Sequence, residues 1–360
     1  MRTGTTKLPL HTGAAPAWLF GRMAKLAREI VSLMVIEFGP EEVLKKLSDP
    51  YWFQALGCVL GFDWHSSGLT TTTTGAIKEG LKGIEGELGL FVCGGKGGAS
   101  RKTPDQIRAN ADQHSVQIDA ERLVYASRMS AKVDSSAVQD GYQIYHHAFF
   151  FDRSGKWAVV QQGMNEASGW ARRYHWLSSG VESFVVEPHA AVESEQKADD
   201  VLNMVAREAE DSRAVSAQIA SDKPDKAVQE IERMRELDLP KRHGIMPVDI
   251  TPQYLRKILV RTYEQQPQGF EQLLGIKGVG GKTVRALAMI GDLVYGAPMS
   301  HRDPAAYSFA HGGKDGIPYP VDRRGYDRSI EVIRKAVEHA RLGNSETAEA
   351  IKRLSRFYEF

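Results

Sequence analysis

The stretch YQIYHHAFFF at residues 142–151 is followed by DRSG at 152–155 and KWAVVQQGM at 156–164. Aromatic and branched residues dominate both flanks, and a short polar segment with glycine separates them, which is the pattern of a β-hairpin. Helical patterns lie on both sides of it in the chain. The sequence therefore predicts an α+β fold: a mixed N-terminal domain with an antiparallel hairpin or sheet, followed by a helical C-terminal domain.

The register of this hairpin decides which side chains share a face of the sheet. Counting across the turn predicts that Phe151 pairs with Lys156 and that His146 pairs with Gln161. Side chains alternate along a strand, so His146 and Gln161 are expected on one face and His147 on the other. A slip of one residue would exchange the faces.

Upstream of the hairpin the sequence predicts a long helix and a glycine-rich loop. The helix begins after Pro16 and ends at Gly39, because apolar residues recur every three or four positions at Phe20, Met23, Leu26, Ile30 and Met34. The run CGGKGG at residues 93–98 is too rich in glycine for a packed element and predicts a loop, which could either hold a phosphate or simply be flexible.

Length and composition restrict the classes of function. The chain has 360 residues, enough for two or three domains, with 46 basic against 45 acidic residues. Two cysteines exclude a disulfide scaffold, a four-cysteine zinc site and a four-thiolate iron–sulfur cluster. There is no apolar run long enough for a membrane span and no secretory signal, so we expect a cytoplasmic protein without a membrane partner.

The small net charge of +1 hides an uneven distribution along the chain. Residues 191–240 contain 7 basic and 13 acidic residues, whereas residues 241–360 contain 19 basic and 13 acidic residues. The sequence therefore predicts three parts: an α+β catalytic domain at 1–190, an acidic helical connector at 191–240 and a basic helical DNA-binding domain at 241–360.

The basic part contains the run LLGIKGVGGKTVRAL at residues 273–287. Apolar spacing predicts helices before and after its glycines, and the segment 270–293 resembles the helix-hairpin-helix motif of DNA repair and recombination proteins. The predicted DNA-binding residues are Gly278, Gly280, Gly281, Lys282, Thr283 and Arg285. Glycines allow a tight turn and close backbone approach, and the start of the next helix favours an anion such as a DNA phosphate.

The glycine run is open to two other interpretations. A nucleotide-binding P-loop needs glycine five positions before Gly281, where Ile276 stands, and it needs a preceding strand, where a helix is predicted. The P-loop is therefore rejected. A purely structural turn between two helices remains open, because glycine hairpins need not contact a ligand.

Polar residues in and around the β-hairpin form the second candidate site. The predicted catalytic residues are Asp134, Asp140, His146, His147, Asp63 and His65, and the first three are the predicted metal ligands. Carboxylates with imidazole suit Mg²⁺ or Mn²⁺, which activate water and stabilise the leaving oxyanion in phosphodiester hydrolysis. A structural role for each of these residues also stays open, as it does for Asp152 at the first position of the turn.

Three segments resemble one family: GFDWHSSG at 61–68, VQDGYQ at 138–143 and QQGMN at 161–165. The chain is similar over nearly its whole length to the prokaryotic domain of unknown function 763 family. The resemblance implies that the hairpin cluster and the basic C-terminal part belong to one protein design. It implies no chemistry, so function has to be argued from the sites.

Together these features predict a metal-dependent DNA endonuclease that acts on repair or recombination intermediates. Phosphate contacts carry no sequence information, so selectivity is expected for DNA shape. One alternative is a DNA glycosylase with lyase activity, in which Lys282 would be the nucleophile and Asp303 the carboxylate. A second is a non-catalytic DNA-binding repair adaptor. The sequence leaves a homodimer open.

Overall fold

The computed structural model describes residues 8, 10, 16–62, 66–114, 116, 119–194, 197–198, 201–235, 251–305 and 335. Asp63 and His65, two of the predicted site residues, lie outside these ranges.

A five-stranded antiparallel sheet separates two layers of helices. Its strands are β1 (Leu90–Lys96), β3 (Gln143–Asp152), β4 (Trp157–Asn165), β5 (Trp170–Leu177) and β6 (Ala191–Glu193), in the order β1-β3-β4-β5-β6. The short strands β2 (Val138–Gln139) and β7 (Leu202–Asn203) form a second antiparallel pair. Helices and antiparallel strands in one chain confirm the predicted α+β class.

Strands β3 and β4 form a hairpin, but the predicted register is wrong by one residue. Phe151 pairs with Trp157 rather than with Lys156. The cause is the Asp152 carboxylate, which accepts hydrogen bonds from the backbone N–H groups of Ser154 and Lys156 at 2.9 and 3.0 Å. This capping keeps Asp152 in β3 and shortens the turn from the predicted residues 152–155 to residues 153–155.

The corrected register changes which residues share a face of the sheet. His146 pairs with Gln162, and His147 pairs with Gln161. Gln161 and Trp157 therefore lie on the face of His147, not on the face of His146, because alternation is fixed once the pairing is fixed.

One face of the sheet is covered by the N-terminal helices. These are α1 (Ala17–Phe38), α2 (Pro40–Ser48), α3 (Pro50–Leu60), α4 (Gly68–Leu81) and the short α5 (Glu85–Leu88). The predicted helix after Pro16 is confirmed as α1, and it ends at Gly39, whose φ of +83° favours glycine. The helices bury their apolar sides against Phe150 and Val160 of the sheet.

The other face is covered by seven further helices. These are α6 (Thr103–His114), α7 (Ala120–Lys132), α8 (Glu210–Ser221), α9 (Pro224–Arg235), α10 (Pro252–Gln265), α11 (Phe270–Gly275) and α12 (Gly281–Tyr295). One continuous hydrophobic cluster joins them to Phe149 and Val159 of the sheet. Helices from all three predicted parts contribute to this one cluster. The three-part division at 190 and 240 stays a prediction.

The predicted connector is only partly helical. Its second half forms α8 and α9, separated at the predicted break between Ser221 and Pro224. Its first half supplies strands β6 and β7, because Ala191–Glu193 extends the sheet beside β5 and Leu202–Asn203 pairs with β2.

The glycine run at 93–98 is not a loop over most of its length. Cys93, Gly94 and Gly95 belong to β1 and pair with β3. A β-carbon at Gly94 would lie 2.2 Å from the backbone oxygen of His147, and the φ of Gly94 is +85°. Glycine is needed there because the two strands approach each other too closely for any side chain.

Gly94→Ala should therefore destabilise the fold by about 2–4 kcal/mol, from the contact with β3 and the unfavourable φ together. The free energy of unfolding in urea measures the change. Gly98→Ala is the matched control, because no atom lies within 4 Å of the β-carbon position at Gly98. Equal stabilities of the two variants would contradict this account of the β1–β3 contact.

Candidate nucleic-acid interface

A single π-helical turn, Val133–Ala137, continues α7 and leads directly into β2. Such turns are rare and occur often at functional sites, because they redirect the side chains of a helix. Here the turn contains Asp134, one of the predicted metal ligands, and β2 ends at Gln139.

Helices α11 and α12 are joined by a glycine hairpin, as the sequence predicts. Gly278 has a φ of +100°, and a β-carbon there would lie 2.6 Å from Cδ1 of Ile258 in α10. A side chain is thus excluded by both backbone and packing. Helix α12 has 15 residues and begins at Gly281 without a side-chain cap from Gly280. Its N-terminal amides and dipole make this end suitable for an anion.

A groove of about 430 Å³ lies at this end of α12. It is lined by the predicted residues Gly278, Gly280, Gly281, Lys282 and Thr283, together with Thr251, Tyr254 and Leu255 at the start of α10. The side chains of Lys282 and Tyr254 are exposed. Five of the six predicted DNA-binding residues therefore surround one open groove.

Arg285, the sixth, is only 2 % exposed and lies away from the groove's lining. Its Nε donates to Oε1 of Gln139 at 2.9 Å, and Nε2 of Gln139 donates to the backbone oxygen of Gly281, also at 2.9 Å. The amide of Gln139 thus fixes the first turn of α12 on β2. The predicted DNA contact by Arg285 is replaced by a positioning role, because its side chain is buried.

Asp134 is the centre of a buried hydrogen-bond network. Its carboxylate accepts from Nε1 of Trp176 at 2.9 Å, from Nε2 of Gln161 and from Nε2 of His189. Oε1 of Gln161 lies 2.8 Å from Nδ1 of His147. These side chains satisfy one another's hydrogen-bonding groups, as buried polar groups generally do.

The protonation state of His147 follows from these partners. Nε2 of Gln161 donates to Asp134 and to the backbone oxygen of Ser130, so Oε1 is an acceptor and Nδ1 of His147 carries the proton. Nε2 of His147 then accepts from the hydroxyl of Ser127 at 2.9 Å. Burial lowers the pKa of His147, which keeps the ring neutral.

Asp140 belongs to a different cluster. Its Oδ2 accepts from Nη1 of Arg172 at 2.8 Å and from the hydroxyl of Tyr174 at 2.7 Å. Burial raises the pKa of Asp140, whereas the Arg172 guanidinium and these hydrogen bonds oppose that rise. Arg172 also donates to both carboxylate oxygens of Asp303, at 2.9 and 2.8 Å.

His146 lies on the opposite face of the sheet from His147. Its Nε2 is 3.0 Å from the hydroxyl of Thr74 in α4. Burial lowers the pKa of His146 to about 3, so the ring is neutral near pH 7.

The structure does not bring Asp134, Asp140 and His146 together as a ligand set. Asp134 and Asp140 belong to separate hydrogen-bond networks, and His146 lies on the opposite face of the sheet, against α4. Within the part of the chain that the structure describes, no three His, Cys, Asp or Glu side chains are placed to hold a metal ion.

The lyase alternative also loses part of its geometry. Besides Arg172, the Asp303 carboxylate accepts from the backbone N–H groups of Ala198 and Ala305, at 2.6 and 2.7 Å. Each carboxylate oxygen of Asp303 therefore accepts two hydrogen bonds that join separate parts of the chain. The carboxylate is not free to assist Lys282.

Local sequence patterns do not mark Gln139, Gln161, Arg172 or His189 as site residues. For Arg172 a signal exists: two arginines stand in the middle of the apolar strand β5, and a buried arginine requires acidic partners. The amides of Gln139 and Gln161 carry no comparable signal, because their importance depends on register and on distant helices.

One known family covers both the polar residues around the β3–β4 hairpin and the groove at the start of α12. The family described as a protein of unknown function, DUF763, matches residues 4–321. The chain belongs to this family. The match confirms the resemblance given by the three sequence segments and includes α10, α11 and α12. No curated protein and no solved structure matches the chain. No helix in the described ranges has the length and apolar character needed to cross a membrane.

The depressed pKa of His146 predicts acid sensitivity. A buried neutral imidazole stabilises the fold above its ordinary pKa of about 6.5, and that stability is lost as the pH falls towards the folded value. The contribution should reach about 1.4 kcal/mol per pH unit, and His146→Gln should remove it. Urea unfolding between pH 7 and pH 4 measures the slope.

Thr74→Val is the control for this experiment, because it removes the hydroxyl partner and leaves the imidazole in place. Its slope should match that of the unmutated protein. Parallel curves for His146→Gln and the unmutated protein would show that His146 is not the group that titrates.

Proposed function

We propose that this protein binds the phosphodiester backbone of DNA through the groove at the start of α12. The single observation that carries the proposal is this groove, in which Gly280, Gly281, Lys282 and Thr283 line an uncapped helix N-terminus. The space beside Gly280 is open, because the nearest atom to its β-carbon position is the backbone oxygen of Gly278 at 4.0 Å, and this lets a phosphate approach the backbone amides. Lys282 adds a cation to the same place.

Neighbouring charges support an anionic ligand. Lys277 directly precedes Gly278, Lys257 lies one helical turn after Tyr254 in α10, and both lysines are exposed. Nη1 of Arg261 donates to the backbone oxygen of Lys277, which holds the hairpin in place and keeps a third cation beside it. Residues 241–360 carry a net charge of +6. A local cationic surface on an almost neutral protein favours a selective, salt-sensitive grip over general adhesion to nucleic acid.

Metal-dependent endonuclease activity stays a prediction and is our second candidate function. One observation favours it: the π-helical turn that contains Asp134 contacts the start of α12, where a β-carbon at Gly281 would lie 3.7 Å from the backbone oxygen of Ser135. Bound DNA would therefore lie close to this segment. Cleavage would require carboxylates that are now buried and hydrogen-bonded to reach the phosphodiester, so DNA binding is the better supported function.

Lys282→Glu should weaken binding to duplex DNA about tenfold and reduce the slope of log K against log salt concentration by about 1, because one phosphate contact is lost. Fluorescence anisotropy over a series of salt concentrations measures both quantities. The loss should be the same for unrelated DNA sequences, since backbone contacts do not read bases.

The matched control is Lys223→Glu, which makes the same charge change at an exposed lysine between α8 and α9. This variant should retain the affinity of the unmutated protein. If both variants bind DNA equally well, the groove does not hold the backbone.

Cleavage can be tested with the unmutated protein, which avoids substitutions in its buried networks. Forked, bubble, duplex and abasic DNA are incubated with Mg²⁺, Mn²⁺ or EDTA, with borohydride in parallel. An endonuclease should give products with metal and none with EDTA. Lys282→Glu should reduce product in proportion to its loss of binding. A borohydride-trapped adduct that disappears in Lys282→Ala would establish the lyase alternative, and binding without products the adaptor.

A further inference from the structure

A second cavity, of about 610 Å³, lies at the N-terminal end of α7. Its apolar wall is formed by Tyr125, Trp157 and Phe184, and its polar lining consists of the acidic Asp119 and Glu121 together with Arg122 and Ser178. A cavity of this size, with aromatic walls and a few polar groups, is typical of a site for a small organic ring system.

The aromatic wall is a stack of rings with Tyr125 at its exposed edge. Trp157 and Phe184 are nearly parallel, with ring centroids 6.0 Å apart and an angle of 8° between planes. Tyr125 meets Phe184 edge-on at 5.7 Å and is 44 % exposed, so one of its faces is open. Behind them, Trp157 stacks on the buried Phe149 at 5.8 Å, which fixes its orientation. A planar heteroaromatic ligand could stack on the open face of Tyr125 without rearrangement.

The cavity is connected to the α11–α12 unit. The hydroxyl of Tyr125 donates to Oε1 of Glu271 in α11 at 2.6 Å. Farther along α7, a β-carbon at Gly275 would lie 3.6 Å from Cε of Met129, so α11 lies along α7. The π-helical turn then brings Ser135 to the first turn of α12. The cavity and the groove therefore lie at opposite ends of the same helix.

The distance between the two sites suits a nucleic acid. Ten residues separate Tyr125 from Ser135, which corresponds to about 15 Å of helix at 1.5 Å per residue. That is about four to five nucleotide steps along a DNA strand.

Exposed cations connect the two sites on one face of α7. Arg122, Tyr125, Arg128 and Lys132 follow one another at intervals of three or four residues, so they share a face of the helix. Glu121 lies on the same face, and its carboxylate is paired with Arg108. Both arginines and Tyr125 are exposed, and Lys132 is half-buried. Basic side chains with an interposed aromatic ring suit a nucleic-acid backbone that carries one unpaired, stacked base.

We propose that the aromatic cavity receives an unpaired nucleobase of DNA whose backbone is held in the groove at α12. This inference rests on the proposed DNA-binding function and names its preferred substrate: DNA with an unpaired base about four to five nucleotides from the gripped phosphate. Tyr125 stacks on the base at the edge of the pocket bounded by Trp157 and Phe184, and Arg122 and Arg128 contact the intervening phosphates.

The test compares a fully paired duplex with the same duplex carrying one bulged nucleotide, both measured by fluorescence anisotropy. The unmutated protein should bind the bulged DNA about tenfold more tightly, as expected for one base stacked on aromatic rings. Tyr125→Ala should reduce this preference to less than about twofold and leave duplex affinity unchanged, which also shows that the variant is folded. Tyr125→Phe should keep the preference, because it retains the ring and loses only the bond to Glu271. Tyr263→Ala, at an exposed tyrosine of α10, is the control.

A 2-aminopurine at the bulge provides an independent readout. Its fluorescence should be quenched by the unmutated protein and by Tyr125→Phe, and not by Tyr125→Ala. An equal preference in Tyr125→Ala, or no preference in the unmutated protein, would overturn the cavity proposal. If duplex binding still depends on Lys282 in that case, the proposed function stands. If neither DNA binds, both proposals are wrong.

Discussion

The ion pairs of Arg172 determine where the candidate groove lies. This guanidinium is fully buried in β5, contacts the carboxylates of Asp140 and Asp303 and lies 4.6 Å from the centre of the Tyr142 ring. A buried cation is costly without such partners, so the two carboxylates are held firmly. One of them follows β2 directly, and the other lies in the segment after α12. Gln139 of β2 fixes the first turn of α12. The ion pair of Arg172 with the adjacent Asp140 therefore also holds the glycine hairpin before α12 against the sheet.

The sheet acts as a partition between two polar networks. Three consecutive polar pairs, His146–His147, Gln161–Gln162 and Arg172–Arg173, lie on neighbouring strands, and alternation sends one member of each pair to each face. On one face, His147 and Gln161 join the network of Asp134, and Arg172 pairs with Asp140. On the other face, His146 and Gln162 contact α4. Arg173 contacts α3, where its Nη2 donates to Oε1 of Gln54 at 2.8 Å. Adjacent positions in sequence thus contribute to separate clusters, and a metal site assembled from both faces is physically blocked.

The local patterns were sufficient to predict α1, the β3–β4 hairpin, the break between α8 and α9, and the helices around the glycine hairpin. They could not give the register, because it depends on the Asp152 carboxylate capping two amides of the turn. They also could not give the contact of Gln139 with Gly281, since 142 residues separate the two positions. Periodicity reports which residues are buried in an element. It does not report which distant polar group completes a buried network, and both parts of the candidate site depend on such groups.

Helix α7 gives the proposed interface its selectivity. The hairpin groove by itself would hold any DNA backbone, because phosphates are the same in every sequence. The aromatic cavity by itself would bind a flat ring too weakly to retain it against solvent. A rigid helix sets the distance between them, so only DNA whose unpaired base and gripped phosphate match that distance gains both contacts, as two linked sites do when the linker has the right length. In this proposal, recognition of DNA shape would follow from the length of α7, without any contact that reads a base edge.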